Sequence, residues 1–195
     1  MPRFAPICHF RYIFNKLDGN FKPCKSCQNT ANHGILGGKI NMIKILFVCH
    51  GNICRSTMAE SVMTHIVKQH HLESNFQIFS AATSREEIGN SPHYGTVSKL
   101  RSVGILVIPH RAVQMTKQDY AKYDYLIGMD QMNIRNMLRI LGDDPEQKVY
   151  KLLAFSDHPR DIADPWYTGN FDITYDDIVE GCEAFLAYLK TNHLL

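Results

Sequence analysis

Cys49 and Arg55 are separated by five residues in the run Val48-Cys49-His50-Gly51-Asn52-Ile53-Cys54-Arg55-Ser56. A cysteine reacts as its thiolate, a strong nucleophile. An arginine is a planar fork that grips two oxygens of one phosphate, which the point charge of a lysine does not do. Ser56 is placed to donate a hydrogen bond to the Cys49 sulfur, which steadies the thiolate and eases its later departure. Gly51 is expected to supply a backbone conformation closed to other residues. Asn52 tolerates left-handed geometry and is expected to tie the loop to its surroundings. These needs match attack of Cys49 on a phosphate monoester through a cysteinyl-phosphate intermediate.

The flanking elements position these groups. Lys44-Ile45-Leu46-Phe47-Val48 is apolar and β-rich, as a buried parallel strand is. After Ser56 the pattern turns helical, with Met58, Val62, Ile66 and Val67 at helical spacing and Ser56 or Thr57 as the expected N-cap. A strand-to-helix loop aims backbone N–H groups and the positive end of a helix at one point, which makes an anion site. The bare Cys–Arg spacing is common by chance, and most buried cysteines only pack. The strand, the Gly-Asn pair, the serine and the helix raise it above that background. A Cys49–Cys54 disulfide is a competing account of the two thiols; in a cytosolic protein it is a redox state of the site and not a staple.

Phosphoryl transfer to cysteine needs an acid for the leaving oxygen. Asp164, in Ile162-Ala163-Asp164-Pro165-Trp166-Tyr167-Thr168-Gly169, is the candidate. Pro165 restricts it to an extended conformation. Trp166 and Tyr167 offer flat apolar walls for an aryl phosphate. Without the cysteine loop, Asp-Pro reads as an ordinary turn.

With these motifs in place, residues 42 to about 190 resemble the low-molecular-weight protein tyrosine phosphatases. The pieces that carry the resemblance are the cysteine loop, Ser80-Ala81-Ala82-Thr83-Ser84, His110-Arg111-Ala112-Val113-Gln114, Met129-Asp130 and Asp164-Pro165-Trp166-Tyr167. The resemblance implies Cys49 as nucleophile and Arg55 as binder of the phosphate and its transition state. It implies Asp164 as general acid, then as the base for water. His50, Gly51, Asn52, Ile53, Cys54 and Ser56 form the phosphate-binding loop, with Trp166 and Tyr167 at the substrate. His110 falls near a histidine that supports the loop asparagine. Cys54 resembles a second cysteine that bridges reversibly to Cys49 and guards it from over-oxidation. Members acting on phosphoarginine resemble this chain but carry Thr where Ile53 stands and a smaller pair after Asp-Pro, so Ile53, Trp166 and Tyr167 point to phosphotyrosine. The implied partner is a phosphotyrosine protein or a small aryl phosphate, and no cofactor or metal is implied. His50 stands where Leu is frequent, at the pocket mouth.

The rest of the chain alternates strand and helix. Strands are expected at 43–48, 76–81, 125–129 and 149–153, with a short one at 107–108. Helices are expected at 56–70, 91–102 (Val97, Leu100 and Val103 inward) and 130–141 (Met132, Met137, Leu138 and Leu141 in the core). A last helix runs through Ile178, Cys182, Phe185, Leu186 and Leu189. Such alternation implies an α/β fold, a parallel sheet covered on both faces, with ligands at the carboxyl ends of strands. The resemblance narrows this to a flavodoxin-like three-layer fold with a four-stranded parallel sheet and the phosphate-binding loop after the first strand.

Composition sets the remaining bounds. In 195 residues, 45% are hydrophobic and 21% charged, ordinary for a globular domain. No run is long enough for a membrane span and no signal peptide is evident, so a cytoplasmic location is expected. Residues 1–41 carry six basic side chains against Asp18, whereas 42–195 carries fifteen against eighteen acidic. Phosphate affinity must therefore come from local geometry and not from bulk charge. Residues 1–41 are expected to be a poorly ordered extension or to come from a start codon set too early, with 42–195 the phosphatase-like domain. Cys24 and Cys27 have metal-ligand spacing, and one such pair is weak evidence for a zinc knuckle. No nucleic-acid partner is implied, and the sequence sets no oligomeric state. Two other accounts compete: a carrier that keeps phosphate on Cys49, and a metal or redox module centred on the tail. Arg55 and Asp164 argue against the carrier, which has no use for an acid.

Overall fold

The computed structural model describes residues 42–195; the expectations for residues 1–41, the Cys24–Cys27 pair included, lie outside the described residues. Alternation within β1 (Ile43–Cys49) organises the fold. Ile43, Ile45, Phe47 and Cys49 face one core with α1 (Arg55–Gln69) and the closing helix α6 (Phe171–Thr191), while Leu46 and Val48 face a second with α4 (Gln131–Leu141). A strand buried on both faces reads as a continuous apolar run. β1 pairs in parallel with β2 (Phe76–Ala82) and β3 (Tyr125–Gly128), and β3 with β4 (Val149–Lys151). The order β2-β1-β3-β4 makes β1 an inner strand and puts its carboxyl end at the point where chain connections part to either side. The expected α/β three-layer fold is therefore present.

Several expectations need correction. Residues 107–108 form no strand; the Ile108 N–H goes to Ser61 Oγ at 3.4 Å instead of to a ladder. The fourth strand stops at Lys151, because Leu152–Phe155 turns as a 3-10 helix that buries Leu152 and Leu153. Val103, Met132 and Leu138 are exposed and not core. The second helix, α2 (Tyr94–Ser102), starts after Pro92, with the His93 side chain accepting from Gly95 N–H at 3.1 Å. Two one-turn helices, α3 (Asp119–Lys122) and α5 (Pro165–Thr168), are too short to leave a periodic signal.

α6 lies close to the β4 exit because Gly181 has no side chain: a Cβ there would meet Leu152 Cγ at 2.5 Å. Leu152 is fully buried and has no room to retreat. Gly181→Ala gains helix propensity, about 1 kcal/mol, but overpacks the core. The net effect expected is destabilisation by about 1–3 kcal/mol. Urea melting checks it, and a raised midpoint would contradict the packing.

Candidate active site

β1 ends at Cys49 and α1 begins at Arg55, so residues 50–54 cross the carboxyl end of the inner strand. Asn52 turns the loop in the left-handed conformation with φ 58°, which asparagine tolerates. Gly51 does not take a positive φ, contrary to expectation. It supplies space, since a Cβ there would lie 3.1 Å from Glu87 Cγ. Neither Ser56 nor Thr57 caps α1: Cys54 holds the N-cap position without a side-chain bond, and Thr57 Oγ1 donates back to the Cys54 carbonyl. The first N–H groups of α1 are thus left without a side-chain cap.

Ser56 faces the sulfur instead, with Oγ 3.1 Å from Cys49 Sγ. Asn52 fixes the direction of that hydroxyl. Its Nδ2 donates to Ser56 Oγ and to Ser80 Oγ, both at 2.9 Å. Its Oδ1 accepts the Val113 N–H at 3.1 Å and lies 2.7 Å from His110 Nε2, which therefore carries the hydrogen. Ser56 Oγ already accepts from Asn52, so its own proton is left for the sulfur. The Asn52 N–H also reaches Sγ, at 3.3 Å. Two donors converge on Cys49. Behind them sits the buried Glu60, with Ser80 Oγ donating to Oε2 at 2.5 Å and His110 Nδ1 3.7 Å from the same oxygen. Burial pushes the Glu60 carboxyl up, against the Ser80 bond, and pushes the His110 imidazole down.

The Arg55 side chain is 3% exposed and runs beside the loop. Nη1 donates to Asp130 Oδ2 at 2.5 Å and to the Ile162 carbonyl at 3.1 Å; Nη2 donates to Asp164 Oδ2 at 2.5 Å. Burial works against its charge, but Cys49, Asp164 and Asp130 together hold its pKa above the ordinary value. Each aspartate is itself fixed by a helix it caps. Asp164 Oδ1 accepts the Trp166 N–H at 3.1 Å, with Pro165 opening α5. Asp130 Oδ1 accepts the Asn133 N–H at 2.6 Å at the start of α4. Three chain segments far apart in sequence thus meet at one guanidinium.

The other expected residues surround this centre. His50 Nε2 lies 3.0 Å from Glu86 Oε2. Ile53 is buried with Cys54, Ala112 and Phe171. Burial, with Cys49 and Asp164 adding to it, pushes the Cys54 thiol up to about 12. Cys49, Cys54 and Cys182 are free thiols. Trp166 is 56% exposed and walls a groove with His93, Tyr94, Pro165 and Phe171; Tyr167, 83% exposed, is not part of that wall. The ring beside Trp166 is His93, edge-on at 5.7 Å and stacked on Phe171 at 5.2 Å. The His93 N–H bonds the Ile53 carbonyl at 2.8 Å, joining α2 to the loop. Asp130, Glu60, Ser80 and His93 were not singled out from the sequence for these contacts. An aspartate directly after a buried strand reads as a helix cap, and Asp130 is one; its second oxygen leaves no sequence signal.

Known proteins carry the same arrangement of elements. A family model described as low molecular weight phosphotyrosine protein phosphatase matches residues 44–194. The low molecular weight protein-tyrosine-phosphatase YfkJ of Bacillus subtilis is 38% identical over 151 residues, covering 76% of this chain and 97% of its own. The human low molecular weight phosphotyrosine protein phosphatase is 40% identical over 147 residues, 73% of this chain and 92% of its own. The crystal structure of YfkJ has a TM-score of 0.76, covering 80% of this chain and 99% of that one. A drosophila arginine phosphatase, DARP, has a TM-score of 0.69 at 29% identity, covering 76% and 98%. The matched span holds Cys49, Arg55 and Asp164 together, and by both sequence and fold the chain belongs to the low molecular weight phosphotyrosine protein phosphatase family.

Proposed function

We propose that this phosphatase hydrolyses phosphotyrosine monoesters, with Cys49 as nucleophile, Arg55 as the phosphate clamp and Asp164 as acid and then base. The observation that supports this is the setting of the three groups: Ser56 and Asn52 donate to Cys49 Sγ, and the buried Arg55 is held against the Asp164 carboxylate. In the first step the Cys49 thiolate forms an S–P bond as the P–O bond to the tyrosyl oxygen breaks, and Asp164 gives its proton to that oxygen. In the second, water attacks phosphorus and loses its proton to Asp164, the S–P bond breaks, and the thiolate and inorganic phosphate are restored. Arg55 and the loop N–H groups offset the charge on the equatorial oxygens. His50, Gly51, Asn52, Ile53, Cys54 and Ser56 shape the loop around those oxygens, with His110 supporting Asn52. The role of general acid requires Asp164 to bring the proton that the tyrosyl oxygen takes as the P–O bond breaks. Trp166, two residues after Asp164 and half exposed, offers its ring to an aromatic leaving group, with Tyr167 the more exposed of the pair. A Cys49 nucleophile must stay reduced to react, which suits a reducing compartment, and we place the activity in the cytoplasm. Among the described residues no helix is long and apolar enough to cross a membrane.

The arginine phosphatase of like fold makes substrate choice the point to test. Ile53 and the Trp166 indole favour a flat apolar leaving group over a guanidinium. Matched phosphotyrosine and phosphoarginine peptides, assayed side by side, are expected to differ by roughly tenfold or more in kcat/KM in favour of phosphotyrosine. A preference for phosphoarginine would overturn the substrate assignment and leave the chemistry standing. A phosphate that persists on Cys49 without turnover would point to a carrier.

A further inference from the structure

After β2 the chain is stitched to the phosphate loop. The Thr83 N–H donates to the Cys49 carbonyl at 2.8 Å and the Ser84 N–H to the His50 carbonyl at 3.0 Å. The turn that follows brings Glu86 and Glu87 to the loop's outer edge. Glu87 lies over Gly51 and is used locally, accepting from Asn90 Nδ2 at 2.6 Å. Glu86 is held differently. Its side chain is 73% exposed, and its carboxylate has a side-chain partner in His50, itself 45% exposed, at 3.0 Å. His50 belongs to the loop that follows Cys49, and Ser84, two residues before Glu86, is bonded to its backbone, so the Glu86 carboxylate is held at the loop's edge with most of its surface open. Arg55, the buried cation of the site, is matched by Asp130 and Asp164 and not by Glu86.

Resting on the phosphotyrosine assignment above, we propose that Glu86 is a specificity-determining residue whose carboxylate, positioned by His50, pairs with a lysine or arginine adjacent to the phosphotyrosine. Neighbouring residues of an extended peptide lie about 3.8 Å apart at Cα, so a long basic side chain next to the phosphotyrosine has the reach. An acidic neighbour meets like charge at the same place. His50 thereby acts through Glu86, holding a flexible side chain in the geometry that a substrate cation meets.

Phosphotyrosine peptides of one length, with Arg, Ala or Glu on either side of the phosphotyrosine, test this at low salt, with p-nitrophenyl phosphate as the reference. The unaltered protein is expected to favour Arg-flanked over Glu-flanked peptides by about three- to fivefold in kcat/KM, the scale of an exposed ion pair. Glu86→Gln should bring that ratio close to one and leave p-nitrophenyl phosphate turnover within about twofold. Arg85→Gln, in the same turn, should leave the ratio within about twofold. An unaltered protein without preference, or a ratio untouched by Glu86→Gln, would overturn the proposal. So would an equal shift in Arg85→Gln, which would make net charge the cause, or an equal loss on p-nitrophenyl phosphate, which would make Glu86 structural. Turnover of p-nitrophenyl phosphate with none of any phosphotyrosine peptide would remove the underlying substrate assignment, a result distinct from a flat ratio.

Discussion

Exchanging the Cys49 sulfur for oxygen is expected to stop turnover while leaving the fold and phosphate binding in place. The Cys49→Ser hydroxyl still meets Ser56 Oγ and the Asn52 N–H, which lie 3.1 and 3.3 Å from the present sulfur. It therefore keeps the loop's local bonds. What it loses is the nucleophile, because a hydroxyl stays protonated where a thiol ionises, and nothing beside it acts as a strong base. His110 Nε2 is committed to Asn52, and Asp164 rests on Arg55. Removal of a nucleophile costs roughly 10⁴–10⁶ in kcat. Arg55 and the helix N-terminus are untouched, so inorganic phosphate should bind Cys49→Ser with an affinity close to that of the unaltered protein. Stopped assays with phosphotyrosine peptide and calorimetric titration with phosphate check the two halves. Residual turnover above about a tenth would sink the role given to Cys49.

Local pattern revealed the first strand, the loop and the long helices, because each is specified by residues close in sequence. Lys44–Val48 and the Met58–Val67 stripe both formed where expected. The loop was also readable, since its serine, asparagine and arginine all lie within seven residues of Cys49. Two of the misreadings arise because apolar pattern does not report the tertiary surroundings. Leu152–Leu153 is apolar enough for a strand, and burial alone does not distinguish a strand from a 3-10 turn that packs against α6. Met132 and Leu138 are apolar like the core positions of α4, yet both lie off its buried Asn133–Met137–Leu141 face and are exposed. The Glu60–Ser80–Asn52–His110 chain was only partly visible, because its members come from α1, β2, the loop and the segment after α2. Their pairing is tertiary, and no spacing rule links them. The same holds for the grip of Asp130 on Arg55, seventy-five residues away.

Asp164→Asn is expected to separate leaving groups in a way that no loss of folding does. Asparagine caps helices as well as aspartate, so the bond to the Trp166 N–H and the start of α5 survive. The variant has no proton to give and no charge to set against Arg55 Nη2. A tyrosyl oxygen, with a conjugate acid near pKa 10, leaves poorly unprotonated, whereas nitrophenolate departs with little help. Phosphotyrosine peptide turnover should therefore fall by roughly 10²–10⁴, and p-nitrophenyl phosphate turnover by far less. The structure adds a second expectation. Arg55 is shared between Asp130 and Asp164, both at 2.5 Å. Losing one carboxylate frees part of the guanidinium for an anion, so inorganic phosphate should inhibit the variant more strongly than the unaltered protein. A structural role for Asp164 predicts the opposite, with weaker phosphate binding as the Arg55 fork loses its brace. Equal losses on both substrates, together with weaker inhibition by phosphate, would make Asp164 a positioning group for Arg55 and leave the acid to be sought elsewhere.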